Sequence, residues 1–193
     1  MSCTDLFEPA AMKSPDTLLE TERLMLRPLT PDDRPALAQI LGNAEVMQYS
    51  VAGILSEEAT GEFIEWCQYS CQQHGFGPWA VVEKSSAALA GFCGLNAERV
   101  DDADEIELGY RLAPAFWGRG LGTEAARAAL RHGFEHLHVA SVIAIVQPGN
   151  VASVKVIKKL GFNGFVHSQY HRRAVRIYRM TALQWASVSS KPL

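Results

Sequence analysis

The chain has 193 residues, 48% of them hydrophobic and 20% charged, a balance that allows one ordinary domain with a sizeable core. Eighteen lysines and arginines stand against 21 acidic residues, for a net charge of −3, which lacks the basic footprint needed to hold phosphate backbones and excludes nucleic acid as a primary partner. No run approaches the roughly 18 uninterrupted apolar residues of a membrane span, and the opening MSCTDLFEPAAMKSPD has neither a basic leader nor an apolar stretch, so a cytoplasmic protein with no membrane partner is expected.

Residues 1–17 mix Ser, Pro, Asp and Ala without period and are expected to be a flexible segment, as is the tail 186–193, leaving one domain over 18–185. A strand is predicted from Leu24 to Leu29. Thr30-Pro31-Asp32-Asp33 then supplies an N-cap, a proline at the first helical position and an acid at the third, which starts a helix that stops at Gly42. A second helix is predicted after Ser56, through Ile64, Cys67 and Cys71, ending near Gly75. Short strands Trp79–Glu83 and Leu89–Leu95 flank the turn Ser85-Ser86 and form an antiparallel meander. A third strand follows Asp101-Asp102, with Ile106, Leu108, Tyr110 and Leu112 on one face and Glu107, Gly109 and Arg111 on the other.

After Pro114 and a glycine-rich turn comes a helix to about Leu137, with Ala126, Leu130, Phe134 and Leu137 as its apolar stripe. The strand Val142–Val146 is apolar on both faces and should be central. A helix capped by Asn150 buries Ile157 and Leu160 and stops at Gly161, and strands around Phe165–Tyr170 and Ala174–Met180 complete the pattern. This order implies a mixed α/β fold: a mostly antiparallel central sheet with a parallel βαβ crossover and flanking helices. Cys3, Cys67, Cys71 and Cys93 show no C-x-x-C pair, so free thiols are expected, and Cys67, Cys71 and His74 on one helix face suggest no fourth ligand, so no metal is expected. The basic run His171-Arg172-Arg173 with Arg176 and Arg179, and the acidic run Asp101 to Glu105, read first as solvated hairpins.

Gly118, Gly120 and Gly122 sit between a strand and a helix start. There, unpaired N–H groups and the positive end of the helix dipole favour an anion, and glycine lets the backbone approach it closely. Arg119 could add a charge; the plainer alternative is a tight turn. The G-x-G-x-x-G order of a dinucleotide fold is absent, and so is the Lys-Ser/Thr of a P-loop.

The runs Ile106-Glu107-Leu108-Gly109-Tyr110, Trp117-Gly118-Arg119-Gly120-Leu121-Gly122-Thr123-Glu124-Ala125 and Asn150-x-x-Ser153 with Lys159-Leu160-Gly161-Phe162 together resemble the GNAT superfamily of N-acetyltransferases. Thr21-Glu22-Arg23-Leu24-x-Leu26-Arg27-Pro28 resembles its Rim-type branch, which acetylates protein N-termini. The resemblance covers roughly residues 20–185. It implies acetyl-coenzyme A as donor, with the backbone of Gly118, Arg119, Gly120, Leu121, Gly122 and Thr123 holding the pyrophosphate. It also implies Tyr110 and Leu112 pairing with the pantetheine arm through their backbone, and Asn150 and Ser153 near the sulfur end. Many relatives carry a tyrosine at the position of Ile157 to protonate the departing thiolate, and isoleucine cannot do so.

Glu107 is the candidate base or orienting group, and Ser153 the candidate proton donor to the thiolate, with water or Tyr178 as alternatives. An α-amine of pKa near 8 is about one-tenth neutral at pH 7 and a lysine about one part in 2,500, a gap of about 3 kcal/mol, so a base matters more for lysine. An ordinary Glu would accept such a proton uphill by about 5 kcal/mol, so burial has to raise its pKa. The expected acceptor is an amine: a protein N-terminus, or alternatively a small amine, amino acid or antibiotic, with a silent acyl-coenzyme A sensor as the rival of another class. A monomer or homodimer is expected.

Overall fold

The computed structural model describes residues 18–189. The segment 1–17, expected to be flexible, and Cys3 within it lie outside the described residues. Eight strands form a single sheet in the order β1-β2-β3-β4-β5-β6-β8-β7. They are β1 (Leu19–Glu20), β2 (Leu24–Pro28), β3 (Pro78–Glu83), β4 (Leu89–Val100), β5 (Ala103–Leu112), β6 (Ser141–Val146), β7 (Val166–Tyr170) and β8 (Arg173–Thr181). Every neighbouring pair is antiparallel except β5 and β6, which run parallel, so the mixed sheet and its crossover are as the residue pattern implies.

Side-chain alternation sends each strand's residues to two cores. Trp79 and Val81 of β3 face one core while Ala80 and Val82 face the other. The first core lies under α4 (Leu121–Arg131) and α5 (Val151–Lys159), where Ala125, Ala129 and Ile157 let helices approach the sheet closely. The second lies under α1 (Arg34–Leu41), α2 (Ala44–Met47) and α3 (Glu57–His74), with Leu37, Leu41 and Ile64 at its centre. Strand β6 is buried on both sides: Val142 and Ala144 belong to the first core, and Ile143 to a smaller cluster with Val100, Val175 and Ile177.

Local chemistry sets the ends. Thr30 and Asp33 form a reciprocal capping box before α1, and Asp33 is buried against Arg27 through two hydrogen bonds of 2.7 Å. Ser56 caps α3 through Ala59 N–H at 3.1 Å, and Gly75 ends it in the left-handed region at φ 74°. Strand β4 runs five residues past the predicted end, because Asn96 to Val100 continue their pairing with β5 up to the turn at Asp101-Asp102. The helix predicted to reach Leu137 in one piece is α4 followed by a wider π turn over His132–His136. The short α2, capped by Asn43, and α6 (Ala182–Ser189) are not predicted, and α6 carries helix through four residues of the expected tail. The acidic and basic hairpins are not merely solvated: Arg179 Nη1 bonds Glu105 Oε2 at 2.8 Å, and the Arg176 guanidinium lies 4.5 Å from the Phe165 ring centroid.

Candidate active site

The glycine turn lies at the N-terminus of α4. Gly118 and Gly120 have φ of 71° and 80°, a region that side chains rarely adopt, which is the physical reason for glycine at both positions. Gly120 is the N-cap residue and supplies no side-chain cap. The backbone N–H groups of Gly118, Arg119, Gly120, Leu121, Gly122 and Thr123 have no acceptor among the described residues. A row of unpaired donors at a helix start can hold a diphosphate. The side chain of Arg119 does not extend the row as the sequence suggests: it pairs with the Glu83 carboxylate and lies 5.7 Å from the Phe116 centroid. Glu83 is held below the usual carboxylate range by Ser86 and then by Arg119. Arg23 is the cation over the turn, which the sequence reading missed. Its Nη1 bonds the Arg119 carbonyl at 2.9 Å, its Nη2 lies 2.6 Å from Glu124, and it would be 3.6 Å from a side chain at Gly120. The match to Glu124, about a hundred residues away, leaves no local signal.

From this turn a seam runs into the sheet. Strands β5 and β6 pair at one position, Glu107 with Ile143, and no pairing continues from there toward their carboxyl ends. Their opening has Gly109 and Tyr110 on one side and Ile145 and Val146 on the other. Ligands of open α/β sheets enter at such carboxyl ends. Tyr110 and Leu112 both lie on this edge, although the Leu112 carbonyl already accepts a 2.7 Å bond from Trp117 Nε1. Asn150 caps α5 by accepting from Ser153 N–H at 3.1 Å, and both residues face the seam together with Ile157. The Tyr110 hydroxyl lies beside Ser153 without a hydrogen bond of regular geometry, and burial pushes its pKa up to about 12. Tyr178, opposite Ala144 of β6, does not line the seam: its ring is buried in the same core as Ile157, against Phe165.

Across the sheet the seam opens into a cleft of about 260 Å³ beneath α1, α2 and α3. Glu107 lines it. Burial drives its pKa up to about 7, against the opposing pull of a 3.3 Å hydrogen bond from Asn96 Nδ2. Arg111 shares this face but forms no ion pair with Glu107; its Nη1 donates to the Tyr110 carbonyl at 2.9 Å. The aromatic wall is Phe63, stacked on Trp66 at 5.8 Å and tilted on Phe92 at 5.0 Å. The loop after α2 crosses the cleft mouth as a strap: Gln147 Nε2 bonds Tyr49 O at 2.9 Å, Tyr49 OH bonds Gly149 O at 2.8 Å, and Arg173 Nη1 bonds Ser50 O at 3.0 Å. Asn96, Tyr49 and Tyr170 thus join the site without any motif to announce them.

The sequence profile described as "Acetyltransferase (GNAT) domain" matches residues 23–163, a span that holds the turn, the seam and Glu107. The Bacillus subtilis (strain 168) protein YkkB is 32% identical over 148 residues, 76% of this chain and 86% of that protein. The spermidine N(1)-acetyltransferase of Escherichia coli (strain K12) is 29% identical over 162 residues, 79% of this chain and 83% of the enzyme. Among solved structures, the GNAT-family acetyltransferase of Bacillus anthracis has a TM-score of 0.73 at 23% identity, over 86% of this chain and 99% of that one, which supports the fold. A donor row at a helix start, a seam split at its carboxyl ends and a profile match over most of the chain lead to one conclusion: the chain is a Rim-like member of the GNAT family of N-acetyltransferases, whose acyl donor is acetyl-coenzyme A.

Proposed function

We propose that the chain acetylates a small primary amine, held in the roofed cleft, by direct transfer from acetyl-coenzyme A in a ternary complex. The observation that carries this reading is Glu107, a carboxyl with a pKa near 7, at the junction of seam and cleft. The strap over the cleft mouth favours a compact acceptor over an extended peptide.

In this reading the amide hydrogens from Gly118 to Thr123 hold the diphosphate beside the Arg23–Glu124 pair, and the edge from Tyr110 to Leu112 pairs with the pantetheine arm. The amine nitrogen attacks the thioester carbonyl carbon; the C–N bond forms, Glu107 takes the nitrogen's proton directly or through water, and the C–S bond breaks. Sulfur leaves with the electron pair and acquires a proton, so the products are the N-acetyl amine and free coenzyme A. Ser153 and the adjacent Tyr110 hydroxyl stand at the sulfur end, where Ile157 supplies no donor. Proton acceptance from an ammonium of pKa near 8 is then uphill by about 1.4 kcal/mol and from a lysine-like primary ammonium by about 4.6 kcal/mol, rather than the roughly 5 and 8 kcal/mol that an ordinary Glu would face.

The test is coenzyme A thiol release against free amino acids, small amines, aminoglycosides and short peptides. Turnover of free small amines above peptides is expected. Peptides turned over best would reinstate a protein N-terminus as acceptor. Acetyl-coenzyme A binding with no turnover of anything would make the chain a sensor.

A further inference from the structure

The geometry points to an acceptor that carries a carboxylate beside its amine, an apolar α-amino acid in zwitterionic form, with Glu107 facing the amine and Arg111, helped by Arg173, facing the carboxylate. This rests on the acetyl-transfer reading and goes beyond it by naming what the acceptor bears besides its amine.

Away from the cleft, Arg127, Arg131, Arg172 and Arg176 form no ion pair among the described residues, whereas other arginines are matched by a carboxylate: Arg23 with Glu124, Arg27 with Asp33, Arg119 with Glu83 and Arg179 with Glu105. The two that line the cleft are not. Arg111 and Arg173 form no ion pair among the described residues, and each donates to a single carbonyl, Tyr110 and Ser50 respectively. Burial lowers the pKa of Arg111, against the opposing pull of the Glu107 charge, the sign of a guanidinium withdrawn from water. A guanidinium offers five donors in a planar fork that fits a carboxylate through two parallel bonds, so most of Arg111's capacity is unspent.

Placement supports the match. Glu107 and Arg111 lie on one face of β5, four residues and about 13 Å apart along the strand. Between them is Gly109, opposite Gly94 of β4. A side chain at Gly109 would meet nothing nearer than Asn96 Oδ1 at 3.5 Å, so the floor between acid and base is open. The reach of the two long side chains closes most of that distance, leaving room for a small zwitterion that lies along the floor with its ends matched. Its side chain would then face Phe63, Trp66 and Phe92, which favours an apolar or aromatic one. A polycation is poorly served, because Glu107 is the one carboxylate among the residues lining the cleft, against two guanidinium groups. The cleft therefore differs in charge logic from what a polyamine acceptor requires, even though a spermidine acetyltransferase is among the relatives.

The decisive experiment compares L-methionine, L-methioninamide, the decarboxylated amine and spermidine in thiol release, with N-acetyl-L-methionine and its amide titrated by calorimetry. The acid is expected to exceed its amide in kcat/KM by about tenfold or more, the size of one charge-assisted contact. The amide's amine is the more readily deprotonated of the two, so such a preference cannot come from amine reactivity. Arg111→Gln should bring the acid-to-amide ratio toward one and weaken N-acetyl-L-methionine more than its amide; Arg173→Gln should do so to a smaller extent. Equal or better turnover of the amide, the decarboxylated amine or spermidine by the unmodified protein overturns the carboxylate site and leaves acetyl transfer standing. Absence of turnover with every amine removes both.

Discussion

Glu107→Gln tests the chemistry most directly, because the carboxyl's pKa is raised from its ordinary 4.5 to about 7. That 2.5-unit rise corresponds to about 3 kcal/mol of relief in the proton transfer. With an acceptor whose amine has a pKa below 6, so that its own titration lies out of the way, kcat/KM should rise with pH along a limb centred near 7. Glu107→Gln should erase that limb and lower the plateau by about a hundredfold. A second readout needs no turnover. The folded protein binds more protons than the unfolded chain between pH 4.5 and 7, so the stability associated with neutral Glu107 is fully present below 4.5 and is lost as pH rises through 7. The glutamine variant, which cannot ionise, should accordingly melt higher than the unmodified protein at pH 8, by at most about 3 kcal/mol, and gain nothing at pH 4.5. An unchanged limb and rate in the variant would show that Glu107 neither titrates in this range nor takes the proton.

Gly120→Glu should weaken acetyl-coenzyme A binding by well over tenfold in calorimetry, whereas Gly120→Ala should chiefly lower stability, by about 1 kcal/mol for a left-handed residue. Equal affinity in a folded Gly120→Glu protein would remove the diphosphate from this turn. Tyr110→Phe should lower kcat several-fold with KM for acetyl-coenzyme A unchanged, since the backbone edge is kept and only the buried hydroxyl is lost; an unaltered kcat would make the hydroxyl a bystander. Asp33→Asn should cost about 2 kcal/mol in denaturant melts at pH 7, because it weakens a buried bidentate pair with Arg27. Asp33 is held below its ordinary value by Arg27 and Thr30 despite burial, so its contribution is present above the ordinary value and is lost as pH falls through the lowered one. The two proteins should then converge in acid, and a difference that persists there would point to packing instead.

The parts legible in the sequence are those written in local chemistry. The capping box at Thr30–Asp33, the glycines at φ 71° and 80° and the doubly apolar run from Val142 to Val146 each declare their conformation within a few residues. Helix α2 is four residues long, too short to show a period, and α6 is hidden by serines that read as loop. Charge partners across long sequence separations were illegible. Nothing near Arg119 signals that Glu83 claims it, or that Arg23 takes the place over the turn. Asn96 stands in the middle of a strand, where an amide carries no motif, yet its register opposite Glu107 makes it that carboxyl's hydrogen-bond donor. Tyr178 reads in the sequence as an alternative proton donor because alternation says which face a residue takes, not what covers that face.

Strands β5 and β6 meet at a single rung, Glu107 with Ile143, so the sheet is two sub-sheets clasped at one point. A molecule lying between them would act as the missing lattice of the seam. Its departure would free five strands to breathe against three. Amide exchange along Gly109 to Leu112 and Ala144 to Val146 should be the fastest of the sheet interior in the empty protein and slow markedly once the donor fills the gap. The protein's thermal resilience would then follow donor concentration, which makes its lifetime in solution a gauge of how much acyl donor surrounds it.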